Sequence, residues 1–313
     1  MNVVVTGASS FLGRALVDRL LKDGNQVYAV VRPGSKNLNC LDTGRQGLIR
    51  IERNLEELHR LDEVIKEPCQ AFYHFGWDGS GSENRLNREV QQKNTEDSLK
   101  ALEGARRLKC RRFLFSGSQA EYGIHKEVMT EETPCSPVSE YGLAKLAFLE
   151  QAMEQTRKWR QEGICSMEYI HARIFSVYGP GDHPWSLVES CVRAFSRGEY
   201  ISLGECTQMW NFLYLDDCIR ALILLMEQEK ESVSGIYNVA GPEEENRPLR
   251  DYIRMMYEIL GFHGSYSFGR RKPNAEGPAN LIPDIKKLKA ATGFEPEIPF
   301  AEGILRTYEA EKH

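Results

Sequence analysis

Two hydrophobic periods alternate along the first half of the chain. Short apolar runs of strand length occur at Val3 to Val5, Gln26 to Val31, Gly47 to Arg53, Cys69 to Phe75, Arg112 to Phe115 and Met167 to Ile174. The Val3–Val5 run does not alternate with polar residues, as expected for a strand covered on both faces. Between these runs the spacing turns helical: Leu12, Ala15, Leu16 and Leu20 share a face, and a helix is predicted over roughly Glu56 to Lys66. Asn87 to Leu108 carries Val90, Leu99, Leu102, Ala105 and Leu108, and Ser139 is placed to cap a helix reaching about Trp159. Strands alternating with helices predict a doubly wound parallel sheet. Beyond residue 175 the rhythm is irregular. Gly- and Pro-rich loops at 179–184, 241–248 and 269–278 predict a smaller lobe, with amphipathic helices over Asp216 to Glu227 and Leu249 to Leu260.

The first strand runs into T-G-A-S-S-F-L-G (residues 6–13) and then a helix. Gly7 permits a sharp turn, Gly13 permits close packing of helix on strand, and the free N–H groups at the helix start suit a pyrophosphate. This order predicts a dinucleotide site at the carboxyl ends of the strands, where Gly7, Arg32, Gly76 and Ser118 all fall. At the end of the second strand stands Arg32, where an NAD site usually has an acid for the ribose 2′-hydroxyl. A 2′-phosphate calls for arginine instead, so the expected cofactor is NADP(H), with NAD(H) as the alternative if Arg32 is simply a solvated loop residue. The expected division is 1–175 as dinucleotide-binding domain, with 208–240 returning to it, and 176–207 plus 241–313 as substrate lobe.

Composition narrows the partners. With 40 basic and 45 acidic residues in 313, net −5, nothing points to nucleic acid or a membrane surface. The eight cysteines are scattered without C-x-x-C or zinc spacing, which favours free thiols, no metal and a cytoplasmic location. No apolar stretch is long enough to span a membrane.

Candidate chemistry lies at Ser118, Tyr141 and Lys145. Tyr141 and Lys145 are four apart on one helix and hence on one face. A phenol with a pKa near about 10 is a poor proton carrier at neutrality, and a neighbouring ammonium favours the phenolate. Ser118, at the end of a strand, is placed to bond the substrate oxygen. Taken singly, the three also read as a turn residue, an amphipathic helix residue and a solvated charge. Trp77 reads either as a rim residue against a planar ring or as a lid over the core.

Seven segments together resemble the extended short-chain dehydrogenase/reductases, also called the NAD-dependent epimerase/dehydratase family. They are T-G-A-S-S-F-L-G (6–13), S-G-S-Q-A-E-Y-G (116–123), Y-G-L-A-K (141–145), R-I-F-S-V-Y-G-P-G (173–181), N-F-L-Y-L-D-D (211–217), I-Y-N-V-A-G (236–241) and P-D-I-K-K-L (283–288). The resemblance implies a Rossmann α/β fold with a smaller C-terminal substrate lobe. It implies Tyr141 as the proton-transferring group, Lys145 as its electrostatic partner and cofactor-ribose ligand, and Ser118 as the carbonyl-orienting hydroxyl. Cofactor contacts are implied for Gly7, Ser10, Phe11, Leu12, Gly13, Arg32, Asn54, Leu55, Phe75, Gly76, Trp77 and Asn94, besides Tyr141 and Lys145. The implied substrate is a small molecule, most often a nucleotide sugar. The implied assembly is a homodimer packed through the helices starting near Asn87 and Ser139.

Departures from the family pattern shape the expected reaction. Ser10 replaces the middle glycine of the turn, a change tolerated if its φ is negative. Gln119-Ala120 stands where 4,6-dehydratases carry Asp-Glu, which argues against dehydration. Ser176 and Trp210 replace an Asn and an Arg of the 4-epimerases, while Arg270, Arg271 and Lys272 offer charge for a diphosphate. Trp77, Ser118, Gln119, Ser176, Trp210 and Arg271 are therefore the expected substrate contacts. With Arg32, these residues point to an NADP(H)-dependent reductase of a 4-keto nucleotide sugar. The alternatives are a nucleotide-sugar 4-epimerase with tightly bound NAD, a reductase of a small non-sugar carbonyl, and a non-catalytic dinucleotide sensor.

Overall fold

A computed structural model describes residues 1–312 apart from 36–37, 39–40, 42–43, 82–83, 229–232, 262 and 272–278. Lys272 and Cys40 thus lie outside the described residues. The chain folds as β1 (Asn2–Thr6), α1 (Phe11–Lys22), β2 (Gln26–Val31), β3 (Leu48–Glu52), β4 (Ala71–His74), α2 (Arg88–Arg107), β5 (Arg112–Ser118), α3 (Glu140–Gln161) and β6 (Glu168–Ile174). It continues with β7 (Ser176–Tyr178), α4 (Leu187–Ser196), β8 (Tyr200–Ser202), β9 (Met209–Trp210), β10 (Phe212–Tyr214), α5 (Leu215–Glu227) and β11 (Gly235–Val239). The last elements are β12 (Arg247–Pro248), α6 (Leu249–Ile259), β13 (Ser265–Ser267), α7 (Lys286–Thr292) and α8 (Phe300–Ala310).

Seven strands form one sheet in the order β11-β6-β5-β4-β1-β2-β3, with every pairing parallel. The chain winds outward in both directions from β1, so the strand order reverses between β1 and β4. In open α/β sheets that reversal opens a crevice at the carboxyl edge. Strand alternation separates two cores: Val3, Val5, Leu114 and Ile170 pack with Leu16 of α1 and Leu222 of α5 on one face. On the other face, Val4, Phe72, Phe113 and Phe115 pack with Leu102 of α2 and Phe148 of α3. A third cluster, including Tyr178, Phe195, Phe212, Tyr252 and Phe300, is the core of the C-terminal lobe. Ile285, Leu288 and Phe294, although late in the chain, pack on the main sheet instead.

Two elements differ from the sequence expectation. Residues Leu55–Glu63 form 3-10 turns interrupted by a kink at Arg60 rather than an α-helix over Glu56 to Lys66. Leu55 and Leu58 are three apart, a spacing that keeps them on one face of a 3-10 turn, and Leu58 and Leu61, on either side of the kink, are fully buried. Strand β5 continues through Ser118, because Ser116, Gly117 and Ser118 pair with Ala172, Arg173 and Ile174 of β6. Among the described residues, no helix is long and apolar enough to cross a membrane.

Candidate active site

The first turn is built as the glycines require. Gly7 has φ +64°, and a Cβ there would lie 2.7 Å from the Phe75 carbonyl carbon. A Cβ at Gly13 would lie 2.2 Å from the Gly7 oxygen, so side chains at either position would close the cradle. Ser10 has φ −75° and caps α1, its hydroxyl accepting from Gly13 N at 3.2 Å. A cavity of about 210 Å³ opens from this turn, lined among others by Gly7, Ser10, Arg32, Arg53, Leu55 and Asp78. The Arg32 guanidinium meets the Asp78 carboxylate at 2.8 Å, with both side chains more than half exposed.

Beside it lies a second cavity of about 410 Å³, lined by Phe11, Leu12, Arg85, Ser118, Gln119, Tyr141, Ser176, Asp182, Ser186 and Trp210, among others. Ser139 starts α3 with its hydroxyl accepting from Gly142 N. A Cβ at Gly142 would lie 2.5 Å from the Ala120 oxygen, so glycine here lets the first turn of α3 press against the turn after β5. That close approach brings Tyr141 and Ser118 to one cleft. The Ser118 hydroxyl donates to Gln119 Oε1 at 2.7 Å and accepts from Ala120 N. The Arg85 guanidinium lies 4.0 Å from the centre of the Tyr141 ring.

Lys145 is buried one turn along α3, and its Nζ donates to the Ser116 carbonyl at 2.8 Å. Burial pushes its pKa down to about 7. Its ammonium also lies 3.8 Å from the centre of the Trp77 indole and 4.4 Å from that of Phe115.

Under the floor of the cleft sits a different charge cluster. Glu121 is fully buried and accepts from Ser118 N at 2.7 Å, Arg173 Nε at 2.8 Å and His171 Nε2 at 2.9 Å. Burial acts to raise its pKa, but His171 and Arg173 outweigh that and hold it down at about 2. Burial pushes His171 down, so it stays neutral, with Tyr169 Oη against its Nδ1 at 2.7 Å. His74, pushed down to about 3 by burial, likewise sits neutral between the hydroxyls of Thr6 and Ser98.

The expected site residues therefore divide. Gly7, Ser10, Arg32, Leu55, Phe75, Gly76 and Trp77 line the smaller cavity, while Phe11 and Leu12 line the larger one with Ser118, Gln119, Tyr141, Ser176 and Trp210. Gly13, Asn54, Asn94, Lys145 and Arg271 are among the lining residues of neither. The exposed Asn54 caps the 3-10 helix, where its N–H donates to Glu57 Oε2. Asn94 is buried with its amide on both backbone groups of Asp78, accepting at 2.9 Å and donating at 2.7 Å. The Arg271 backbone N–H donates to Leu203 O in the C-terminal lobe. Sequence reasoning missed Arg53, Asp78, Arg85, Asp182 and Ser186, which line the two cavities. Of these Asp182 follows the 173–181 segment, Arg53 precedes Asn54 and Asp78 follows Trp77, so each of the three stood beside residues the resemblance had picked out.

The NAD dependent epimerase/dehydratase family matches residues 3–240. UDP-glucuronic acid decarboxylase 1 of Xenopus tropicalis is 26% identical over 98% of this chain and 71% of its own length. Two solved structures share the fold over 100% of this chain and 99% of theirs, each with a TM-score of 0.85. They are the Thermotoga maritima UDP-glucose 4-epimerase with UDP-glucose, 23% identical, and the Bacillus cereus UDP-glucuronic acid 4-epimerase with UDP-glucuronic acid and NAD, 22% identical. The chain belongs to the NAD-dependent epimerase/dehydratase family and is an enzyme of its extended short-chain dehydrogenase type.

Proposed function

We propose that this enzyme is an NAD-dependent nucleotide-sugar 4-epimerase, with the Ser118–Tyr141–Lys145 cleft as its catalytic centre. The observation that carries the reading is the placement of Ser118 and Tyr141 on one cavity, with buried Lys145 a turn away and the glycine cradle adjoining. The glycine turn and the 210 Å³ cavity fit the adenosine and pyrophosphate end of a dinucleotide. The expectation of an NADP(H) reductase rested on Arg32, whose guanidinium is engaged by Asp78. An acid at this rim supports a ribose 2′-hydroxyl and opposes a 2′-phosphate, and relatives named as epimerases favour the same alternative.

Bound NAD supplies a hydride acceptor, and later a donor, at C4 of the sugar. Tyr141, as phenolate, takes the proton of the C4 hydroxyl while Ser118 bonds that oxygen. Lys145 favours the phenolate by its charge. Tyr141 then returns the proton once the 4-keto sugar has presented its other face. We also propose a homodimer through α2 and α3, where Leu143 is 47% exposed, to be read as twice the chain mass by sedimentation.

Incubation with NAD and either UDP-glucose or UDP-glucuronic acid, followed by NMR of the sugar products, tests the reading. Interconversion of 4-epimers without net cofactor consumption is expected. Carbon dioxide release would identify a decarboxylase instead, and stoichiometric NADPH loss on a 4-keto sugar a reductase. Tyr141→Phe should lower turnover at least about a hundredfold while leaving NAD affinity within about threefold; undiminished turnover would remove Tyr141 from the mechanism.

A further inference from the structure

Trp77 follows β4 and lines the smaller cavity, yet much of its ring packs against protein. The indole face looks onto the Lys145 ammonium at 3.8 Å, and its ring packs edge-on against Tyr141, with centres 6.0 Å apart at 83°. The third edge is tied down: Trp77 Nε1 donates to Gln91 Oε1 at 2.8 Å. Gln91 is itself completely buried, and its amide nitrogen donates to the carbonyls of Gly79 and Asn84. The indole is thus anchored in one orientation, touching both members of the Tyr141–Lys145 pair.

We propose that Trp77 is a positioning residue that keeps Lys145 charged beside Tyr141 through its indole face, rather than a ring that stacks on cofactor or substrate. The proposal rests on the catalytic reading given above and adds to it the group that holds the ammonium. Lys145 needs such a group, because burial disfavours its charged form. The groups around it do little else to offset that. From the turn after β5, Glu121 favours the ammonium, but its carboxylate is already bonded by Arg173 and His171. Arg85, from the loop before α2, opposes the charge. His74 on β4 and His171 on β6 are neutral, Tyr141 on α3 is the group to be activated, and β5 offers the Ser116 carbonyl and the Phe115 face. A desolvated cation over indole is among the stronger cation–π arrangements.

The pair shares its protons, so the consequence appears in both members. When one proton has left, the remaining one sits either on Lys145, with Tyr141 as active phenolate, or on Tyr141, with Lys145 as inactive amine. Loss of the indole moves that partition toward the amine.

The test titrates the full-length, cofactor-free chain carrying lysine labelled with ¹³C at Cε, the Lys145 resonance being the one lost in Lys145→Arg. Trp77→Leu is expected to lower the Lys145 midpoint by about one pH unit, a tenfold loss of ammonium at fixed pH. Trp77→Phe, which keeps a weaker aromatic face, should recover part of that shift. In turnover, Trp77→Leu should lower the plateau about tenfold while moving the acid limb to lower pH, a combination that simple loss of fold does not produce. An unchanged midpoint in Trp77→Leu, or equal shifts in the Leu and Phe variants, overturns the proposal. Should the Leu variant not fold, Gln91→Leu, which frees the indole N–H, replaces it; unchanged midpoints there and in Trp77→Phe overturn the proposal equally. Because the titration uses no substrate, it is decided independently of the epimerase assay.

Discussion

Two buried charge clusters lie near β5 on the same face of the sheet, and they are built in opposite ways. Glu121 is surrounded by donors that satisfy it: an arginine, a neutral histidine and the Ser118 N–H. Lys145 is surrounded by rings and, among the described residues, has one carbonyl acceptor. The first group therefore stays ionised down to about pH 2, while the second titrates near neutrality. A fully paired buried charge fixes geometry, whereas a poorly paired one is free to respond to protons and ligands. Here Glu121 holds the Ser118 backbone N–H, and in the proposed mechanism Lys145 tunes the phenol.

The comparison breaks most visibly if Glu121 proves dispensable. Glu121→Leu strands Arg173 in the interior and should cost about 3–5 kcal/mol in denaturant unfolding at pH 7. Because its folded pKa lies below the unfolded value of about 4.3, its contribution is present in full above that pH and is lost as pH falls toward 2. A loss below about 1 kcal/mol would show the cluster to be no better paired than a surface one.

Lys145 should have the opposite sign. Its folded pKa lies below the unfolded value of about 10.4, so the burial penalty applies in full below pH 7 and is relieved as pH rises to 10. Lys145→Met is accordingly expected to unfold later than the natural chain at pH 6, by roughly 1–3 kcal/mol, with the gain vanishing near pH 10. No gain at pH 6 would mean that the aromatic cage compensates the charge as fully as Arg173 compensates Glu121.

The exposed Arg32–Asp78 pair sets the lower end of the scale. Arg32→Ala should change stability by under about 0.5 kcal/mol. By equilibrium titration, it should also leave the ratio of NADH to NADPH affinity within about threefold. A collapse of NADPH affinity would restore the 2′-phosphate role of Arg32.

Legibility in the sequence followed the range of the interactions. The strand–turn–helix of residues 2–22 was readable because Gly7, Gly13 and the helical stripe act locally. Tyr141 and Lys145 were readable because a helix period places them together. The partners of Glu121 and Trp77 were not, since an acid and an aromatic in a sequence say nothing of Arg173, His171 or Gln91 folding against them. The same holds for Asn94: the family resemblance implies a cofactor contact there, while its bonds to the backbone of Asp78, in the loop after β4, are visible only in the fold. The larger cavity draws on β5, α3, β7 and the loops before α2 and α4, so its lining is a property of topology rather than of any one segment.

The sheet order also bears on how the chain is made. Strand β6 is fully buried beside β11 in the finished sheet, in the register Ile170↔Gly235 to Ile174↔Val239. During synthesis, however, β11 leaves the ribosome long after β6, which must wait as an open edge. Bare hydrophobic edges invite pairing with other chains, and charged side chains within the strand discourage it. Glu168, His171 and Arg173 interrupt the apolar run of β6. His171 and Arg173, which in the finished fold bond the Glu121 carboxylate that holds the Ser118 N–H, are thus also expected to discourage such pairing until the edge strand β11 arrives.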